Sequence, residues 1–366
     1  HEAGAVRRQE EASMLSVALL GAQPGDRIVD MCASPGSKSS ELADQVGANG
    51  LLIANDNDLK RCWMLMHTMR RFPRPALVVT HHEAQKLPHL PGGVGFDRVL
   101  CDVPCSGDGT LRKARSHWER KGWKPTLGVS LQPLQLAIAR RGLQVLKRGG
   151  HLLYSTCSLN PVENEAVVAA LLAEGGCELL DVHSDGRLPA GTFKLRPGLS
   201  SWRVANVDHP HWRQGVPGRG TADAPLWFDS ASDARVTDGP SARQLSSAVL
   251  YPPSTAPKPA APDAEASGSA AAGDAAAEPC HLQQQLSRCG RLLPQDNDTG
   301  GFFVALFVKT ADYIAPDDAS AVTGGAGDGS AVATDTVGAS KRKSEDADAL
   351  LRLKKEGQLR AGGATS

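Results

Sequence analysis

The chain has 366 residues, of which 41% are hydrophobic and 22% charged, and its 40 basic residues balance its 40 acidic ones. The zero net charge argues against a protein held to nucleic acid by bulk charge alone, although a local basic patch remains compatible with it. Because no apolar run is as long as a membrane span and no signal-peptide pattern is present, we expect no membrane partner. The eight cysteines are scattered, which is typical of reduced thiols in an intracellular protein rather than of a disulfide framework.

The pattern of apolar residues predicts an alternation of helices and strands. Residues 5–20 have the spacing of an amphipathic lead-in helix, and we interpret residues 1–20 as the remnant of an N-terminal part. Beyond it, we predict strands at 27–32, 51–56, 76–80, 96–102, 149–156, 177–182 and 300–309, with helices at 39–46, 58–72, 129–146 and 164–174. This alternation predicts a parallel sheet with helices on both faces.

The composition divides the chain into one domain and a tail. We predict a single α/β domain over 21–309, interrupted by an irregular excursion at 183–250 and by a disordered insert at 252–279 rich in Ala, Pro and Gly. Residues 310–366 are of low complexity, and we predict a disordered tail. Its basic cluster at 340–356 is either a nuclear localisation signal or ordinary solvated charge.

The loop MCASPGSKSS (31–40) joins the first strand to a helix, which is where a doubly wound sheet binds nucleotide-like ligands. It is neither a Walker loop nor a GxGxxG fingerprint, so a plain tight turn remains an alternative. Asp56 ends the second strand, where a carboxylate binds ribose hydroxyls, but it could equally cap the next helix. Glu83 could accept a hydrogen bond from an adenine amino group or be an ordinary surface residue.

Two cysteines differ from the others because each follows a buried strand and precedes a polar loop. Cys105 lies in DVPCSGDGT (102–110) and Cys157 in YSTCSLNPVENE (154–165). Two such thiols suggest covalent catalysis by one nucleophile and one helper. No CxxC pair occurs, so we do not predict a metal site. Four further cysteines are interpreted as small buried hydrophobes: Cys32, Cys62, Cys101 and Cys177.

Four motifs together resemble the NOP2/Sun (RsmB/Fmu) family of RNA cytosine carbon-5 methyltransferases. They are MCASPGSK (31–38), NDND (55–58), DVPCSGDGT (102–110) and YSTCSLNPVENEAV (154–167). The later segment RCGRLLPQDNDTGGFFVALFVK (288–309) is most similar to the eukaryotic branch that modifies several tRNA sites. The resemblance implies a Rossmann-like, class I S-adenosylmethionine-dependent methyltransferase with a mostly parallel, seven-stranded, doubly wound sheet.

The resemblance also implies roles for individual residues. Cys157 would be the nucleophile that adds to carbon 6 of cytosine, Cys105 would assist release, and Asp102 would hydrogen-bond the ring. Cofactor contacts are implied for Cys32, Ala33, Ser34, Pro35, Gly36, Ser37, Lys38, Asp56, Glu83 and Asp102. We expect S-adenosyl-L-methionine as cofactor, an RNA substrate (a tRNA above all), no metal, a monomeric state, and a location in the nucleus, the nucleolus included.

Two other functions stay open at this point. A DNA cytosine methyltransferase would use the cysteine of its Pro-Cys motif, Cys105, as nucleophile and would leave Cys157 structural, although STCSLNPVENE argues against it. An RNA-binding scaffold would keep the fold without catalysis.

Overall fold

The computed structural model describes residues 9–70, 77–113, 124, 126–184, 186–188, 191–209, 225–235, 241–245, 247–253 and 281–315. The chain divides into two compact units, His1–Asp318 and Ala319–Ser366, and every described residue belongs to the first. The basic cluster at 340–356 and almost all of the predicted insert at 252–279 therefore lie outside the described residues.

A mixed β-sheet forms the centre of the described unit. Its strands are β1 (Arg27–Asp30), β2 (Leu51–Asp56), β3 (Leu77–His81), β4 (Phe96–Asp102), β5 (Leu146–Thr156), β6 (Cys177–Leu180), β7 (Leu195–Pro197), β10 (Gly290–Leu292) and β11 (Phe302–Lys309). A separate two-stranded ribbon pairs β8 (Val204–Ala205) with β9 (Trp227–Phe228). The order of the large sheet is β3-β2-β1-β4-β5-β11-β10-β7, with β6 also paired to β11.

Among the described residues the sheet has nine strands rather than the seven expected. Strands β1 to β5 pair in parallel, whereas β11 is antiparallel to β5, β6 and β10, so seven strands run in one direction. The mostly parallel, doubly wound sheet is thus confirmed. The strands β7 and β10 have three residues each, too few for their period to be recognised in a sequence.

Helices cover both faces of the sheet. The described helices are α1 (Glu11–Leu20), α2 (Ser37–Val46), α3 (Leu59–Met69), α4 (Thr126–Val145) and α5 (Glu165–Glu174), with short α6 (Ala231–Arg235), α7 (Ala242–Leu245), α8 (His281–Leu286) and α9 (Pro294–Asn297). Successive residues of one strand belong to opposite cores, as the pleat of a strand requires: Val99 packs with α4 and α5, and Leu100 packs with α1 to α3.

The segment at 183–250 contains the edge strand β7, the β8–β9 ribbon and the short helices α6 and α7. The predicted last strand at 300–309 is β11, which lies inside the sheet beside β5. The limits given above for the domain, insert and tail stay predictions. No helix in the described part of the chain is long and apolar enough to cross a membrane.

Candidate active site

Cys105 and Cys157 meet at the carboxyl edge of the sheet. Strands β4 and β5 are parallel neighbours whose last residues are in register, with Asp102 opposite Ser155. The loop that follows each strand starts at the same edge, and the two Sγ atoms lie 3.3 Å apart. The pairing of β4 with β5 therefore brings together two cysteines that are 52 residues apart in the sequence. At this distance one thiol donates a hydrogen bond to the other sulfur.

Backbone contacts through Gly109 hold the Cys157 loop in place. The Gly109 N–H donates to the Cys157 carbonyl at 2.8 Å, and the Gly301 N–H donates to the Gly109 carbonyl at 2.8 Å. A Cβ added to Gly109 would lie 2.7 Å from the Cys157 carbonyl oxygen and closer still to that of Gly301. The absence of a side chain at this position lets the two thiol loops and the start of β11 pack together.

The electrostatics distinguish the two sulfurs. The hydrogen bond from Cys105 lowers the pKa of Cys157, and the Lys38 ammonium acts in the same direction against burial and the Asp102 charge. The same hydrogen bond, together with burial, raises the pKa of Cys105 well above its ordinary value. Of the two thiols, Cys157 is therefore the one that loses its proton more readily, and Cys105 is the one that keeps it.

An ion pair lies beside the thiols. Lys38 Nζ is 2.7 Å from Asp102 Oδ2, and Ser155 Oγ donates to Asp102 Oδ1 at 2.8 Å. Burial is the largest single effect and would lower the pKa of Lys38. The charge of Asp102, the hydrogen bond to it and the charges of Asp30 and Cys157 together outweigh burial and raise that pKa. The ammonium also lies 5.5 Å from the centre of the Phe302 ring. Lys38 is thus held as a cation next to Cys157.

A cavity of about 230 Å³ opens between α1 and the loop after β1. It is lined by most of the residues expected at a cofactor site, together with Asp30 and part of α1: Gln9, Glu10, Ser13, Asp30, Cys32, Ala33, Ser34, Pro35, Ser37, Lys38, Asp102 and Lys113. Lys113 forms an ion pair with Glu10 across the cavity wall. The structure therefore brings seven of the ten expected cofactor residues together.

The other three expected cofactor residues lie outside this lining. Gly36 precedes α2 and faces α3, since a Cβ there would be 2.9 Å from Leu65. Asp56 Oδ2 accepts the Ser34 N–H at 3.3 Å and pairs with Arg61 at 3.2 Å. Asp56 therefore holds the loop after β1 in place through its backbone.

The alternative reading of Asp56 as a helix cap does not apply. The side chain that caps α3 is Asp58, which accepts the Arg61 N–H at 2.9 Å. The Glu83 side chain is half exposed and bonds Gln85 and Lys86 in the turn after β3. A role for Glu83 at an adenine ring stays a prediction.

Two buried acids in the site were missed by the sequence analysis. Asp30 ends β1 and lines the cavity; its Oδ2 accepts the Ser39 hydroxyl at 2.6 Å, whereas its buried Oδ1 has no partner. Burial raises the pKa of Asp30 to about 7. Glu163 lies beneath both thiol loops and is fully buried. Asp30 could have been identified as a site residue from its position at the end of the first strand, where a doubly wound sheet binds its ligand.

The remaining described cysteines are free thiols. Cys62, Cys101, Cys177 and Cys289 are buried and Cys32 is partly exposed in the cavity wall. Within the described ranges, no group of three or more His, Cys, Asp or Glu side chains is placed to hold a metal ion.

Comparison with known proteins identifies relatives of this chain. Residues 17–190 match the family model of the 16S rRNA methyltransferase RsmB/F. The chain is 36% identical over 327 residues to a tRNA (cytosine(34)-C(5))-methyltransferase of Drosophila melanogaster, covering 84% of this chain and 37% of the relative. It is 37% identical over 345 residues to a multisite-specific tRNA:(cytosine-C(5))-methyltransferase of Schizosaccharomyces pombe, covering 85% and 43%.

Solved structures share the fold. The crystal structure of NSun6 from Pyrococcus horikoshii with SFG superimposes with a TM-score of 0.52 at 22% identity, covering 85% of this chain and 55% of the other. The chain spans about two fifths of the length of the two curated relatives.

Proposed function

This chain belongs to the RsmB/F methyltransferase family, and on that premise we propose that it transfers a methyl group from S-adenosyl-L-methionine to carbon 5 of cytosine in RNA. The observation that carries the proposal is the hydrogen bond between Cys105 and Cys157 at 3.3 Å. A thiolate paired with a neutral thiol supplies both a nucleophile and a proton-handling group at one place.

The cavity beside the thiols fits the cofactor. A buried carboxylate oxygen without a partner, Asp30 Oδ1, suits a ligand that carries positive charge. Cys32, Ala33, Ser34, Pro35, Ser37 and Lys38 would hold the cofactor along the loop after β1. Asp56, at the end of β2, and Glu83, two residues past β3, lie outside the cavity lining and would extend the site beyond it. When bound, S-adenosyl-L-methionine supplies a methyl group on a sulfonium sulfur, which is strongly electrophilic.

The chain's own residues prepare the base for that methyl group. Carbon 5 of cytosine is too weak a nucleophile until the Cys157 thiolate bonds to carbon 6 and pushes electron density into the ring. Asp102, held by Lys38 and Ser155, would hydrogen-bond the cytosine ring and orient it beside the thiols. After methylation the carbon 5 proton leaves to a base, the bond between carbon 6 and Cys157 breaks, and Cys105 assists this release. The target base has to leave any stack to reach these groups.

The assignment of Cys157 as nucleophile separates this proposal from a DNA-type mechanism. A DNA-type enzyme would use Cys105, whose pKa is raised rather than lowered by the bond between the thiols. A scaffold without catalysis would have no need of the proton asymmetry between the two sulfurs.

The finer points of the proposal concern substrate and location. We propose tRNA as the substrate because the two curated relatives are named tRNA methyltransferases. We further propose that the protein binds RNA as a monomer and resides in the nucleus, guided by the basic cluster SKRKSEDADALLRLKKE. Deleting residues 340–356 would leave the distribution of a tagged protein unchanged if that cluster had no targeting role.

The direct test is methylation of an unmodified tRNA mixture by the purified chain with labelled S-adenosyl-L-methionine, followed by bisulfite sequencing. We expect label in RNA and protected cytosines with the wild type and neither with Cys157→Ala. Labelling of DNA in preference to RNA, or label retained in Cys157→Ala, would contradict the proposal.

A further inference from the structure

The Glu163 carboxylate accepts hydrogen bonds on both oxygens beneath the thiol loops. Its Oε1 accepts the Ser106 N–H at 2.8 Å and the Gln135 amide at 3.0 Å. Its Oε2 accepts the Ser106 hydroxyl at 2.6 Å and the Ser158 hydroxyl at 2.8 Å. The residue is completely buried. Four hydrogen bonds from neutral donors offset the desolvation cost of burying this carboxylate, because hydrogen bonds to a charged acceptor are about twice as strong as those between neutral groups.

The hydrogen-bond partners of Glu163 are the immediate neighbours of the two thiols. Ser106 directly follows Cys105, and Ser158 directly follows Cys157. One carboxylate therefore fixes the residue after each thiol, and the two serine hydroxyls lie 3.3 Å apart, the same separation as the two sulfurs.

The carboxylate is itself anchored to rigid elements. Gln135 belongs to α4, and its amide also donates to the Pro104 carbonyl at 2.9 Å, directly before Cys105. The buried Tyr154 hydroxyl at the end of β5 donates to the Glu163 carbonyl at 2.6 Å. Displacement of the Cys105 loop therefore requires breaking its bonds to helix α4 and to a glutamate that is itself bonded to β5.

The charge of Glu163 acts unequally on the two sulfurs. Its negative charge contributes to the raised pKa of Cys105, after the bond to Cys157, burial and the charge of Cys157 itself. The positive charge of Lys38 contributes to the lowered pKa of Cys157. A carboxylate on one side and an ammonium on the other thus favour the same placement of the shared proton.

We infer that Glu163 is a positioning residue for the thiol pair: it fixes the residue after each cysteine, sets the distance between the two sulfurs, and places a negative charge that favours a proton on Cys105. The inference rests on the proposed function in so far as the thiols are catalytic, but the hydrogen-bond geometry and its test do not need turnover. Glu163 does not touch the reacting base, since it acts through Ser106 and Ser158.

The test measures the reactivity of each thiol in the whole chain without RNA. Iodoacetamide reacts with thiolates, so peptide mass spectrometry after short exposures from about pH 6 to 9 gives separate alkylation rates for Cys105 and Cys157. In the wild type we expect Cys157 to react faster. Glu163→Gln keeps the shape of the side chain but loses its charge. In this variant we expect the alkylation rate of Cys157 divided by that of Cys105 to fall by about tenfold, which is the effect of a change of one unit in the difference between the two pKa values.

Glu174→Gln is the matched control. Glu174 is another largely buried glutamate, on α5, and it pairs with Arg140 away from the thiol loops. This variant should lose some stability but keep the wild-type ratio of alkylation rates. An unchanged ratio in folded Glu163→Gln would overturn the inference, as would an equal fall in both variants.

Smaller variants keep the inference testable if Glu163→Gln fails to fold. Ser106→Ala and Ser158→Ala each remove one hydroxyl donor while the carboxylate remains, and each should lower the ratio of rates. An unchanged ratio in both would also overturn the inference. If instead the wild type methylated no RNA while the ratio shifted as expected, the proposed function would fail and the positioning role would stand.

Discussion

Lys38 Nζ lies 2.7 Å from Asp102 Oδ2, although the two residues are 64 positions apart in the chain. Lys38 comes from the first residues of α2 and Asp102 from the last residue of β4. The pair connects the wall of the candidate cofactor cavity with the thiol that we propose as nucleophile.

Removal of the Lys38 charge should make Cys157 a weaker nucleophile. In Lys38→Met the thiolate loses its nearby cation, so its pKa should rise and its alkylation at about pH 7 should slow by about tenfold, the effect of one pKa unit. Lys147→Met is the control, because Lys147 pairs with Asp97 away from the thiols. Equal alkylation rates in Lys38→Met and wild type would contradict the assignment of Lys38 as the group that favours the thiolate.

Asp30 should make the protein less stable as the pH rises. Its pKa in the folded state is about 7, against about 3.9 in an unfolded chain. Between these values the folded state holds more protons than the unfolded state, so the free energy of unfolding falls as the pH rises. Asp30→Asn removes this loss and should gain stability over the wild type between about pH 4 and 8, by at most about 4 kcal/mol.

Urea denaturation at several pH values measures this difference, with Asp97→Asn as a control of opposite sign. Despite burial, the pKa of Asp97 is lowered by its bonds to Lys147 and Arg27. Its stabilising contribution is present at neutral pH and is lost as the pH falls through the folded pKa, so Asp97→Asn should destabilise the protein at neutral pH. A stability difference between Asp30→Asn and wild type that did not change with pH would contradict the account of Asp30.

Gly109→Ala should displace the Cys157 loop. The new Cβ would meet the carbonyl oxygens of Cys157 and Gly301, and such overpacking costs about 1–3 kcal/mol. We expect a lower midpoint in thermal denaturation together with slower alkylation of Cys157. Thr110→Ala, in the same turn, removes atoms instead of adding them and should leave that alkylation rate unchanged. The packing argument is wrong if Gly109→Ala matches the wild type in both measurements.

Much of the site could be predicted because strand ends determine it. The order of buried strands and the rule that parallel strands share a carboxyl edge bring Cys105, Cys157 and Asp102 together. The loop after β1 could be identified for the same reason. These relationships need only the strand pattern, which a sequence carries directly.

The contacts that were not predicted depend on side chains brought together from separate elements. Glu163 bonds Ser106 across 57 positions, and no local spacing indicates that contact. Glu83 has the expected place after β3, but the following turn pairs it with Lys86, three residues on, at the surface. Strand β10 pairs with both β7 and β11. These short strands form because of that pairing, which the sequence of a three-residue segment does not indicate.

The most direct measurement traps the covalent intermediate. RNA with 5-fluorocytosine at the target position blocks release, because the fluorine cannot leave as the carbon 5 proton does. After incubation with S-adenosyl-L-methionine, peptide mass spectrometry locates the cysteine joined to the base. We expect the adduct on Cys157, retained in Cys105→Ala and lost in Cys157→Ala. An adduct on Cys105, or one that persists in Cys157→Ala, would contradict the account.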